Sequence, residues 1–328
     1  AKVGLDIDYS SLSATLNGSG SSFQDTLQQT VKGEFQKVAS GVTVNYAKSG
    51  SSAGKADLAG NTVQFAGTDS LIKDADKASF TGGEVLYFPI AAAPITVSYN
   101  LPSVEKLQLS ADVIAGIFQG EITTWDDAKI AADNPDAKLP STAIAVVHRS
   151  DGSGTTSNFT KYLKKAAPSV WKLDAGDTVS WPASTQGAEK STGVTSVIKS
   201  TDGAVGYVDL ADAAKEGLSV AKVANSNGEY VAPTPAAAST ALAGAEVNDD
   251  LTYDPINSSA KGAYPITSPT WVLVDKVQSD ADKAAVIKAY LNFLLTTGQE
   301  SATNLLYAPL PPDLAKKSLA QIDDITVG

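Results

Sequence analysis

Three times in this chain an apolar, strand-like run ends in a glycine- and serine-rich turn and passes straight into a helical period. No other feature narrows the fold as much. The fullest case is Ile144-Ala145-Val146-Val147, a buried-strand pattern, followed by His148-Arg149-Ser150-Asp151-Gly152-Ser153-Gly154-Thr155-Thr156. After it Phe159, Tyr162, Leu163 and Ala166 fall at helical spacing. Earlier, residues 13–16 read as a short strand before Asn17-Gly18-Ser19-Gly20-Ser21-Ser22-Phe23, with Leu27, Val31, Phe35 and Val38 on one helical face beyond. Residues 42–46 alternate as a strand before Ser49-Gly50-Ser51-Ser52-Ala53-Gly54, and residues 62–65 read as another, ending at Ala66-Gly67-Thr68-Asp69-Ser70. Strands that feed helices through tight turns predict α/β layers. In open sheets of that class ligands lie beyond the carboxyl ends of the strands.

The remainder of the chain suggests two domains. Residues 84–99 are a long apolar run punctuated by Pro89 and Pro94, a candidate crossing from one domain to another. Ser110 can cap a helix carrying Val113, Ile114, Ile117 and Phe118, with Gly120 past its end, and Thr124 can cap another over 126–133. Residues 204–210 read as a strand, and 224–262 as loops around a short helix. Residues 264–267 with the strand 271–274 suggest a return crossing. An amphipathic helix over 284–297 closes at Gly298, and a last helix follows the prolines at 309–312. Residues 1–12 read as irregular. The expected division is 1–90 with 263–328 as a discontinuous first domain and 91–262 as an inserted second, with crossings near 88–96 and 260–268.

At 328 residues there is material for two cores. The formal charge of −11, from 25 basic and 36 acidic side chains, disfavours nucleic acid and anionic membrane as partners, because both need a basic face. No stretch approaches 18 consecutive apolar residues, so no membrane span is expected. No basic, then apolar leader opens the chain, so any secretion signal is expected to be missing from it. Cysteine is absent and His148 is the sole histidine, which excludes disulfides and thiolate sites and leaves no set of ligands for a transition metal. No metal and no cofactor are expected.

Backbone N–H groups at a helix N-terminus, small hydroxyls and the planar fork of Arg149 together describe a seat for a compact oxyanion. Other chemistries fit less well. Gly18-Ser19-Gly20 lacks the third glycine of a dinucleotide turn, and Ala53-Gly54-Lys55 does not complete a Walker A loop. Gly50-Ser51-Ser52-Ala53-Gly54 matches a nucleophile elbow, which would make Ser52 a nucleophile served by His148. That histidine lies mid-chain beside an arginine rather than near the C-terminus, so a serine hydrolase is only the alternative reading. The acidic pairs Asp74/Asp76 and Asp249/Asp250 lack calcium-loop spacing, and Trp125, Trp171, Trp181 and Trp271 read as core.

These motifs give the chain a resemblance to a family. Residues 18–23, 49–54 and 67–70, Thr124-Trp125-Asp126-Asp127, residues 144–155, Gly206-Tyr207-Val208, residues 264–267 and 309–312 are similar to the PstS family. That family comprises the phosphate-binding subunits of bacterial high-affinity phosphate ABC transporters. The resemblance implies a two-domain periplasmic-binding-protein fold of type II, each domain a mixed sheet flanked by helices, with the ligand cleft between them. It implies a non-enzymatic receptor, monomeric, lying outside the cytoplasmic membrane either free or as a lipoprotein, and serving membrane permease subunits. Phosphate ligands would be Ser22 and Phe23 (hydroxyl and backbone N–H), Ser51 and Asp69 from the first domain. Arg149, Ser153, Gly154 and Thr155 would come from the second, with Asp151 fixing the arginine. A binder of another tetrahedral oxyanion (sulfate, molybdate or arsenate) is the nearest alternative.

Overall fold

The computed structural model describes residues 4–328. In chain order the elements that matter are β1 (Ser13–Gly20), α1 (Asp25–Val38), β2 (Gly41–Ala47), α2 (Ser51–Ala59), β3 (Phe65–Thr68) and β4 (Val85–Tyr99). Then come α3 (Ala111–Phe118), β5 (Ala145–Arg149), α4 (Gly154–Ala166), β6 (Gln186–Ala188), α5 (Lys190–Ser200) and β7 (Ala204–Asp209). The chain closes with β8 (Thr267–Asp275), α6 (Ala281–Leu295) and α7 (Pro312–Gln321). It divides into two compact units. The first takes the chain up to Ala92, together with Glu246–Asp254 and Pro269–Gly328; the second is Ala93–Ala245 with Pro255–Ser268. The boundaries fall inside β4 and β8, and the chain also visits the first unit at Glu246–Asp254. There Trp271 Nε1 donates to the Leu251 carbonyl at 3.1 Å and the Tyr253 ring meets Trp271 edge-on at 5.7 Å.

In the first unit β1 lies parallel to β2, Ser13 opposite Gly41, and parallel to β3, Gly18 opposite Phe65; β8 runs antiparallel to β3, Trp271 opposite Thr68. The strict exposed–buried alternation of β2 gives that edge strand one wet face. Against the sheet, Leu27, Val31 and Phe35 of α1 are fully buried, and Phe35 meets Tyr290 and Phe293 of α6 at 5.2 and 5.5 Å between ring centroids. In the second unit β5 is parallel to β6 and β7, and β4 is antiparallel to β7, Ile95 opposite Asp209. Val147, Val194, Ile198, Ala204 and Val208 form a core cluster there, and Phe159 stacks on Tyr207 at 4.5 Å.

Several boundaries differ from the sequence expectation. β1 does not stop at residue 16 but continues through Gly18-Ser19-Gly20, because a Cβ on Gly18 would lie 2.1 Å from the Phe65 ring. Only glycine lets that ring cover the strand. The same pairing moves β3 from 62–65 to Phe65–Thr68. In the 49–54 segment only Ser49-Gly50 is turn, and Ser51 already begins α2. The helix expected from residue 126 starts at Ala128 under Asp127, whose side chain accepts from Lys129 N, while Thr124 bridges to Ala143. Ser110 stands at the start of α3 with its hydroxyl on Asp133 at 2.9 Å rather than on the helix. Gly298 ends nothing: it lies inside a further short helix, Thr297–Ala302. Within the region read as irregular, Tyr9–Ser11 forms a 3-10 turn; residues 1–3 of that region lie outside the described residues.

Candidate functional site

The first unit brings together the carboxyl ends of β1 and β3 and the start of α2. Gly20 sits at φ +133°, where a Cβ would strike the Gly67 carbonyl oxygen at 2.2 Å, so the strand can turn there only as glycine. Ser21 N then donates to Gly67 O at 2.9 Å, tying the turn to the end of β3. Asp69, 2% exposed, is the charge at the centre. Its Oδ1 accepts from the Ser21 hydroxyl and from the Thr270 hydroxyl, each at 2.7 Å. Ser51, at the first position of α2, donates from its hydroxyl to Asp69 Oδ2 at 3.5 Å, and the same oxygen accepts from Asp69 N at 3.2 Å. Lys55 anchors the loop beyond by donating to Ser70 Oγ and Leu71 O at 2.9 and 3.2 Å. Ser22 and Phe23 are buried just ahead of α1, and Tyr307 donates to the Phe23 carbonyl at 2.6 Å. Burying a carboxylate is costly unless donors surround it, and here hydroxyls do so.

The second unit carries the arginine. At the end of β5, Arg149 Nε and Nη2 grip the two oxygens of Asp151 at 2.7 and 2.6 Å, a bidentate pair. Burial works to raise the Asp151 carboxyl, but the hydrogen bonds and charge of Arg149, with the N–H of Lys190 at 3.1 Å, hold it below the usual carboxylate range. Tyr207 fixes the backbone: its hydroxyl accepts from Arg149 N at 2.9 Å and is hydrogen-bonded to Thr156 Oγ1 at 2.7 Å. Burial pushes that phenol up to about 12. Ser153 caps α4, accepting from Thr156 N at 3.1 Å. Gly154 and Thr155 form the first turn, where orphan N–H groups and the positive end of the helix dipole favour an anion. Thr155 Oγ1 is buried with no hydrogen-bond partner among the described residues. Such an atom costs free energy unless something else meets it.

Each unit thus collects its own share of the expected residues: Ser22, Phe23, Ser51 and Asp69 in one, Arg149, Asp151, Ser153, Gly154 and Thr155 in the other. Sequence reasoning missed Ser21 and Thr270 as partners of Asp69. It also missed Gln24, whose Nε2 donates to Thr270 Oγ1 at 2.7 Å. The Ser21 hydroxyl was in plain view beside Ser22; Thr270 carries no local signal, since β8 reaches β3 only by long-range pairing. His148, the other half of the hydrolase reading, is stacked on Trp181 at 5.0 Å, and its Nδ1 pairs with Arg149 O at 2.9 Å. Burial lowers its proton affinity. Among the described residues no group of three or more His, Cys, Asp or Glu side chains is placed to hold a metal.

Comparison with known proteins places this geometry in context. The family model of the PBP superfamily domain matches residues 10–297. A phosphate-binding protein PstS of Xylella fastidiosa is 33% identical over 311 residues, covering 93% of this chain and 84% of that protein. One from Methanocaldococcus jannaschii is 34% identical over 318 residues, covering 89% and 81%. Among solved structures, a high-affinity periplasmic phosphate-binding protein with phosphate bound aligns with a TM-score of 0.78 at 23% identity, covering 94% of this chain and 93% of that one. A putative phosphate ABC transporter substrate-binding protein with bound phosphate, from Clostridium perfringens, aligns at 0.68 and 18% identity, covering 91% and 100%.

Proposed function

The chain belongs to the PBP superfamily and, within it, to the PstS phosphate-binding proteins, and we propose on that footing that it binds inorganic phosphate and hands it to an ABC importer. Its fold is the two-domain α/β fold of type II. The ligands we assign are Ser22, Phe23, Ser51 and Asp69 from one unit and Arg149, Ser153, Gly154 and Thr155 from the other. The phosphate-bound form is what permease subunits read. The place of work is the outer side of the cell membrane; no helix among the described residues is long and apolar enough to cross it.

The observation that carries this reading is Asp69, a buried carboxylate among the donors of an anion site. A carboxylate repels an anion unless a proton lies between them. Phosphate near neutral pH carries one or two protons and sulfate none, so Asp69 can accept from a P–OH but faces a bare oxygen of sulfate. Against sulfate the site holds both repulsion and an unmet acceptor, which is selection by an element built against the wrong ligand. Arg149 supplies positive charge in a fixed plane, and the helix N-termini of α2 and α4 supply neutral donors.

Calorimetry on protein stripped of phosphate tests the reading: tight binding of one phosphate per chain is expected, and no heat of binding would remove it. Asp69→Asn should lose at least about tenfold of the preference for phosphate over sulfate. Unchanged preference would remove the role given to Asp69 while leaving phosphate binding standing.

A further inference from the structure

We propose that Thr270 is a positioning residue for Asp69, the last link of a one-way hydrogen-bond relay from Tyr290 through Gln28 and Gln24 that keeps the carboxylate an acceptor and so sets the discrimination between protonated and unprotonated tetrahedral anions. The relay starts on α6. Tyr290 donates to Gln28 Oε1 at 2.6 Å, Gln28 Nε2 to Gln24 Oε1 at 2.8 Å, Gln24 Nε2 to Thr270 Oγ1 at 2.7 Å, and Thr270 Oγ1 to Asp69 Oδ1 at 2.7 Å. All its members belong to the first unit.

Its direction is settled at one link. Gln24 Nε2 also lies 3.0 Å from the Trp271 carbonyl oxygen, which can only accept. The nitrogen of that amide therefore faces Thr270, and its oxygen faces Gln28. Gln28 must then donate through Nε2, which leaves its Oε1 to accept from Tyr290. An amide oxygen can only accept, so the Tyr290 hydroxyl donates at that link, and burial holds its proton well above the ordinary phenol range. At the other end Thr270 receives a proton from Gln24, and its own goes to Asp69 at 2.7 Å rather than to the Thr68 carbonyl at 3.5 Å. Gln24, Gln28 and Thr270 have no exposed surface, so bulk solvent does not reach a link to reverse it. The Ser21 hydroxyl delivers a second proton to the same oxygen, Asp69 Oδ1. A neutral acid at this position would bring its own proton into a ring of donors. The relay thus favours the carboxylate, and a ligand meeting it has to bring the proton.

The proposal rests on the phosphate reading above, and titration of the wild type separates the two. A wild type that binds no phosphate removes the reading; the relay is judged on variants of a wild type that binds. Thr270→Val keeps the shape and deletes the donor. Its phosphate affinity is expected to fall about tenfold while the weak sulfate affinity, measured by competition, stays level or rises, so the ratio of the two falls at least about tenfold. Thr270→Ser, which keeps the hydroxyl, should return the ratio to within about threefold of wild type. A ratio that does not change in Thr270→Val, an equal loss for both anions, or no recovery in Thr270→Ser overturns the relay. Should Thr270→Val not fold, Gln28→Met carries the test from two links away: a fall of about threefold in the ratio is expected, and a folded variant with the wild-type ratio overturns it.

Discussion

Arg149 gains its geometry from neighbours that hold it at three points: Asp151 on the guanidinium, Tyr207 on the backbone N–H, and Ala188 opposite it across the β5–β6 pairing. Asp151 is the one of these that titrates in an accessible range. Its folded carboxyl is lowered, so it contributes stability that is present above the ordinary carboxylate value and lost as pH falls through the lowered one. Asp151→Asn should therefore be less stable than wild type at pH 7 and converge with it in acid, read by urea unfolding across pH 3 to 7. A constant difference across that range would mean that the pair carries no pH-linked stability. Phosphate affinity should fall with it, by about tenfold, because the fork loses its brace. At this scale the sequence was informative where a residue's chemistry is local. The block from Arg149 to Thr155 announces an arginine beside a helix N-terminus. Thr270 announces nothing, because its role exists only once β8 is laid beside β3.

Among the elements, the close approach of α2 to β1 is what brings Ser51 to Asp69. Gly54 makes it possible: a Cβ there would lie 2.5 Å from Gly20 Cα and 2.7 Å from the Ser19 carbonyl oxygen. Those are backbone atoms with nowhere to yield. Gly54→Ala should cost roughly 1–3 kcal/mol and weaken phosphate binding by displacing Ser51. Gly33, in the middle of α1, has nothing within 4 Å of its missing Cβ. Gly33→Ala should stabilise by roughly 0.5–1 kcal/mol, since alanine is the better helix former, and leave binding alone. Chemical denaturation of the two variants checks the pair, and equal signs would contradict the packing argument. The helical faces of α1, α4 and α6 and the alternation of β2 were legible from periodicity alone. The ends of β1 and β3 were not. Glycine and serine read as turn, and only the Phe65 ring over Gly18 turns those residues into strand.

For the whole molecule the governing quantity is charge. A protein at −11 proposed to capture an anion cannot gather it by long-range attraction. The assigned ligands and their brace add nothing to the contrary: one positive group, Arg149, stands with two negative ones, Asp69 and Asp151. Affinity must then come from short-range donors, which salt screens weakly, while the approach is opposed by a field that salt screens well beyond about 8 Å at physiological strength. The association rate of phosphate, followed by stopped flow, should consequently rise with ionic strength, by roughly two- to fivefold between about 20 and 200 mM, the reverse of a steered encounter. The dissociation rate, governed by the hydrogen bonds of the bound state, should change less. An association rate that falls as salt is added would reveal a positive field that the charged residues assigned to the site do not account for. The acidic balance of the composition disfavours nucleic acid as a partner. It bears on phosphate differently, because the proposed ligands (helix N-terminal N–H groups, hydroxyls and one braced arginine) act at contact distance, where the net charge of the surface has little reach.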